Sequence, residues 1–190
     1  MLSRKLLAAR HSPKIRPGQE LLIDKPNSPD AVAPAGYKPK IRWFPEKDRL
    51  RVLIDVADSN YAAAKDEEKR RYRAYVDIFV CPSGADADIC KIHMLQGDTE
   101  QKPYLAASQG GTYSESESRR VKGTWKRTPN GYCAEVRIPW SFLRGYRKDW
   151  TVLPVEAMVL NKVKGWSYFV MTAHGDPDTS ARSYSLLTAK

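Results

Sequence analysis

The chain has 190 residues, of which 42% are hydrophobic, 10% aromatic and 28% charged, a make-up that suits one folded domain and excludes a disordered chain. Its formal charge of +10 favours acidic partners through long-range attraction, without naming one. The longest apolar run, Val152 to Leu160, is broken by Pro154 and Glu156, so nothing reaches the roughly 18 consecutive apolar residues of a membrane-spanning helix.

Residues 1–19 carry Arg4, Lys5, Arg10, Lys14 and Arg16, with no acid before Glu20. This composition suits a mitochondrial targeting segment and equally a basic arm, and it lacks the apolar core of a secretory signal. A mitochondrial location is therefore expected, and secretion is not. Pro13, Pro17, Pro26, Pro29, Pro34, Pro39 and Pro45 follow; each removes a backbone donor and fixes φ, which opposes helix and central strand alike. Residues 1–40 thus read as an extended, proline-rich N-terminal arm, and Ile41 to Phe44 as a short edge strand.

Leu50, Val52, Ile54 and Val56 alternate with other residues at the two-residue period of a half-buried strand. Lys65 to Arg73 reads as a charged linker. Val76, Ile78 and Val80 mark a second strand, closed by the turn residues Pro82, Ser83 and Gly84, and Ile89 to Leu95 a third. The polar stretch Gln96 to Ser118 reads as a long excursion with little regular structure. Val121 to Lys126 and Tyr132 to Ile138 flank Thr128-Pro129-Asn130-Gly131, a hairpin signal that turns Tyr132, Ala134, Val136 and Ile138 inward. A short helical turn is expected at Pro139 to Leu143, with strands at Val152 to Leu160, Trp166 to Thr172 and Arg182 to Leu187. So many short strands without a long helix predict an all-β fold: a two-sheet antiparallel β-sandwich, jelly-roll-like, over residues 41–190.

Cys81, Cys90 and Cys133 are odd in number and lack CxxC spacing, so they read as buried thiols. The histidines, His11, His93 and His174, lie far apart, and no hydrolase, zinc-protease or phosphate-loop motif occurs. A binding protein is expected, with no catalytic residue, metal or cofactor.

The run Asn130 to Leu143, NGYCAEVRIPWSFL, resembles a strand-and-turn motif of family 9 carbohydrate-binding modules and their DOMON-like relatives. Arg49 to Asp58, Tyr75 to Pro82, and His174 to Pro177 with Tyr184 to Leu186 resemble further segments of that family in the same order, so the resemblance spans roughly residues 40–188. It implies a sandwich that binds sugar without hydrolysing it, clamping a ring between two aromatics while acidic, amide and basic side chains hold the hydroxyls. Trp166 and Tyr61 fall where the aromatics belong, and Asp58, Asp77 and Arg73 are the polar candidates. Asp77 stands where the family has Glu.

Arg119, Arg120, Lys122, Lys126 and Arg127, interrupted by Trp125, form a basic stretch that either contacts phosphate, as RNA would offer, or is a solvated sheet face. Two functions follow. One is glycan binding; the other is an accessory structural subunit of a large mitochondrial assembly, a respiratory complex or ribosome, in which neighbouring protein subunits are the partners and the arm wraps them.

Overall fold

The computed structural model describes residues 14–24, 35–59, 61, 74–99, 102–110, 112–163, 167–171 and 184–189. These build two sheets around a shared core. The larger contains β1 (Lys14–Ile15), β5 (Ala74–Val80), β6 (Cys90–Thr99), β7 (Lys102–Gln109), β8 (Thr112–Tyr113), β11 (Val152–Val163), β12 (Ser167–Met171) and β13 (Ser185–Thr188). Its order is β1-β13-β11-β5-β6-β7-β8, with β12 also paired to β11. The smaller contains β2 (Leu21–Leu22), β3 (Lys38–Pro45), β4 (Arg49–Ala57), β9 (Lys122–Thr128) and β10 (Gly131–Pro139), in the order β2-β3-β4-β10-β9. The expected all-β sandwich is what the chain forms. Among the described residues the longest helix is one turn, α1 (Glu115–Ser118), capped by the Ser114 hydroxyl.

Alternation places the core. Leu50, Val52, Ile54 and Val56 of β4, with Tyr132, Ala134, Val136 and Ile138 of β10, are buried from one side, and Val76, Ile78, Val80, Ile92 and Val155 meet them from the other. The sheets approach closely at Gly123, where an added Cβ would stand 3.0 Å from Met94 Sδ and 3.2 Å from Leu105 Cδ1. Both turns expected around β10 are present, the hairpin joining Thr128 to Gly131 and a 3-10 turn at Trp140–Phe142. That 3-10 turn is tied down: Trp140 Nε1 donates to Glu46 O at 2.9 Å, and Gln109 Nε2 donates to Phe142 O at 2.7 Å.

Three expectations change. Ile41 to Phe44 is not an edge but the middle of an eight-residue strand, with β2 outside it and β4 inside. Its prolines, Pro39 and Pro45, stand near the two ends of the strand. Residues 14–24 are woven into the sandwich rather than wrapping it, since β1 pairs with β13, β2 pairs with β3, and Ile15 and Ile23 are buried. A boundary at residue 40 falls inside β3. The stretch Gln96 to Ser118 carries the end of β6, then β7, β8 and α1. Small residues conceal it: β7 buries Ala107, Ser108 and Gln109, which give no hydrophobic alternation. The charged linker at 65–73 and the segment His174 to Pro177 lie outside the described residues.

Cys81 and Cys90 are buried, Cys133 half-buried, and none of the three is in a disulfide. Desolvation pushes the Cys81 thiol up to about 12 and raises Cys90 as well. Because the thiolate is the nucleophile, iodoacetamide at pH 8 is expected to alkylate the folded chain at Cys133 first, with Cys81 and Cys90 reacting only after denaturation. Peptide mass spectrometry checks this, and rapid labelling of Cys81 in the native chain would contradict it.

Candidate functional site

The strands of the larger sheet have a second, outward face. Register sets its rows: Met158 beside Asp77, Asp77 beside His93 and His93 beside Ala106; then Leu160, Tyr75, Leu95 and Tyr104 in the neighbouring row. Phe79, Met158, Leu160 and Tyr184 pack together there, with Tyr75 against them. Within this apolar setting the buried Asp77 carboxylate meets His93 Nδ1 at 2.6 Å and Lys91 Nζ at 3.2 Å. The His93 ring lies 4.8 Å from the Tyr75 ring, and Lys91 Nζ lies 5.3 Å from the centroid of Phe79. Tyr104 is 56% exposed, two strand spacings, or about 10 Å, from Tyr75. The face therefore offers an open aromatic ring, a carboxylate, an ammonium and an imidazole within a few residues of one another. Sequence reading found Asp77 but missed Tyr104, because it lies in the stretch read as irregular. The signal was present in Tyr104 and Leu105, which are adjacent and so point to opposite faces of a strand.

The other sequence candidates go elsewhere. Tyr61 is not an open platform. Its ring is 1% exposed and sits edge-on to Tyr132 at 4.8 Å, while its hydroxyl donates to Gln96 Oε1 at 2.6 Å and accepts from Trp125 Nε1 at 2.9 Å. Trp125 in turn stacks on Tyr132 at 4.3 Å. Asp58 is buried beside this cluster, and its Oδ1 accepts the Tyr61 N–H at 3.1 Å, so it orders the chain after β4 rather than facing solvent. Burial, with the nearby Asp58 charge, raises the phenols of Tyr37 and Tyr132. Trp166 and Arg73 lie outside the described residues.

The five basic residues do not form one patch. Lys122 and Lys126 point outward from β9, whereas Arg127 follows the inward position of Trp125. Arg119 pairs with Glu115, and Arg120 donates to Ser141 O at 2.8 Å and lies over Phe142. On the outer face of the smaller sheet Lys122 and Lys126 join Lys38, Lys40, Arg42, Arg51 and Arg137. Four of these are already paired: Lys40 with Glu20, Arg42 with Asp55, Arg51 with Glu46, and Arg137 with Glu135. That is the geometry of a solvated, self-paired sheet face.

Among the described residues no three His, Cys, Asp or Glu side chains converge as metal donors, and no helix is long and apolar enough to cross a membrane. No protein-family model matches the chain, and no curated protein matches it in sequence. Solved structures do. A Bacteroides uniformis protein proposed to bind carbohydrate aligns with a TM-score of 0.64 at 10% identity, over 93% of this chain and 99% of its own. A family 9 carbohydrate-binding module from Caldicellulosiruptor kristjanssonii, solved with cellotriose, aligns with a TM-score of 0.59 at 16% identity over 93% and 92% of the two chains. With glucose bound, a module of that family and organism aligns with a TM-score of 0.59 at 17% identity over 93% and 95%. The chain described here has the family 9 carbohydrate-binding module fold.

Proposed function

We propose that this protein binds glycans, without cleaving them, on the outward face of β5, β6 and β7. The observation that carries this reading is the exposed Tyr104 ring on the same face as Tyr75, His93, Lys91 and Asp77. A pyranose has an apolar C–H face and an edge of hydroxyls that both donate and accept. It needs a flat apolar surface beside a few fixed polar groups. Tyr104 supplies the surface and Lys91 donates, while the buried Asp77 carboxylate anchors Lys91 and His93. The ion pair between Asp77 and Lys91, with the close contact to His93 Nδ1, holds these polar side chains in place before any sugar arrives, which limits the ordering cost of binding.

The fold adds support, since modules that share it are seen with cellotriose and glucose. Calorimetric titration with cellotriose is expected to give saturable binding that Tyr104→Ala weakens about tenfold or more, a loss near 1.4 kcal/mol. The exposed position makes that change nearly neutral for folding. Unaltered affinity in Tyr104→Ala and in Lys91→Met would place the sugar elsewhere, and absence of any sugar binding would end the reading.

A further inference from the structure

A cavity lies away from that face, at the end of the sandwich where β5 and β10 finish and β11 begins. Its volume is about 420 Å³, inside the roughly 300–1,000 Å³ range of small-molecule sites. Pro82, Ser83, Tyr146, Arg147, Asp149 and Trp150 are among the residues that line it. From Asp77 to Pro82 is five residues, at most about 17 Å of extended chain, and Tyr104 is two strands further across the sheet.

The aromatic wall is rigid. Tyr146 stacks on Trp140 with 4.5 Å between centroids and 4° between planes, and Trp140 is anchored through its indole N–H to Glu46 O. Trp150 is set at 51° to Trp140, 6.1 Å away, so the two indoles are tilted rather than stacked. At the mouth the Arg147 guanidinium donates twice to one carboxylate, Nε to Asp149 Oδ1 at 3.1 Å and NH2 to Asp149 Oδ2 at 2.9 Å. This fork holds the Asp149 carboxyl below its usual range. Arg147 and Asp149 are the charged residues among those described on the wall, and they cancel. The opening therefore selects for neither anion nor cation, yet offers fixed donors and acceptors beside aromatic faces.

We infer that this cleft is a second binding site, separate from the Tyr104 face, for the neutral pyranose end of a glycan. The apolar face of the ring packs against Trp150, and ring hydroxyls bridge to the Arg147–Asp149 fork. Two sites on one chain let two segments of a polysaccharide be held at once, which raises avidity without new contacts at either site.

The test uses the full ¹⁵N-labelled chain, titrated with glucose and then cellotriose while the tryptophan indole N–H resonances are followed. Trp150→Phe identifies the resonance of interest. That resonance is expected to shift saturably, to do so unchanged in Tyr104→Ala, and to need about tenfold more sugar in Asp149→Ala. Asp149 is exposed, so that variant keeps the fold even where Trp150 variants do not. A stationary Trp150 resonance while the Tyr104 face binds overturns the cleft alone. A Trp150 shift that disappears in Tyr104→Ala shows that it is not a separate site and also overturns it. A shift with a proline-rich peptide but with neither sugar overturns the assignment to sugar. A Trp150 shift without any response at Tyr104 sustains the cleft and removes the sheet-face reading, and no response anywhere overturns both.

Discussion

Trp125→Ala is expected to lower the unfolding free energy by about 3–5 kcal/mol, a large share of the roughly 5–15 kcal/mol that holds a domain of this kind. Trp125 is 1% exposed and is among the largest fully buried side chains described. Its removal leaves three deficits: the stacked face of Tyr132 at 4.3 Å loses its partner, the Tyr61 hydroxyl loses its donor at 2.9 Å, and a cavity opens between the sheets. Trp125→Phe separates these effects, since it keeps most of the packing and removes the indole N–H. It should cost less, and the part that remains reports the buried hydrogen bond, on the order of 1 kcal/mol. Urea denaturation followed by fluorescence and circular dichroism gives both values. A loss below about 1 kcal/mol for Trp125→Ala would mean that the ring is not packed as described.

Gly131→Ala should be nearly as damaging although it adds a single methyl group. A Cβ at this position would stand 2.0 Å from the Val56 carbonyl oxygen and 2.8 Å from the Asp58 amide nitrogen. Both are main-chain atoms, at the end of β4 and just past it, so no rotamer change relieves the clash. β10 would have to move off β4 at the pair Gly131–Ala57, where the Asp58 N–H donates to Asn130 O at 2.7 Å. Overpacking of this kind typically costs about 1–3 kcal/mol, and sometimes more. Gly36→Ala is the comparison for backbone strain without a clash, because its φ is +81° and a Cβ there meets nothing within 4 Å. Thermal or urea midpoints that put the two variants level would show that the strands part more easily than their spacing implies.

Gly131 also illustrates what sequence could and could not reveal. The pattern Thr-Pro-Asn-Gly between alternating runs located the hairpin, because turn chemistry is local. What demands glycine there is the approach of another strand 75 residues earlier in the chain, at Val56, and no local pattern records that. The same division holds elsewhere. β4 and β10 were legible since each buries one face only and alternates. β5 hides half its character: Asp77 and Phe79 point away from the shared core but are buried as well, beneath a second cluster. β7 was missed because Leu105 is its one large inward residue and the others are small or amide-bearing; Gln109 is buried for a reason found 33 residues away, the carbonyl of Phe142.

At the candidate face, Asp77 came from resemblance, whereas Lys91, His93 and Tyr104 came from register, so one of its four groups was visible in the sequence. Tyr61 was misplaced for an instructive reason. A tyrosine just past a strand end is compatible with an open loop or with a folded-in ring, and the choice depends on Trp125 and Gln96, 64 and 35 residues away.

The pairing of β1 with β13 bears on how the molecule is made. Thr188 Oγ1 donates to Ile15 O across 173 residues, and Lys14 and Ile15 run parallel to Leu186 and Leu187. On a ribosome, β1 emerges long before its neighbour is synthesised and must wait with the Ile15 side chain unburied. Contacts so distant in sequence are the slow ones, since loop closure precedes any reward. Completion of the larger sheet therefore waits for Ser185–Thr188, and until that segment is made Ile15 stays open to unwanted contacts.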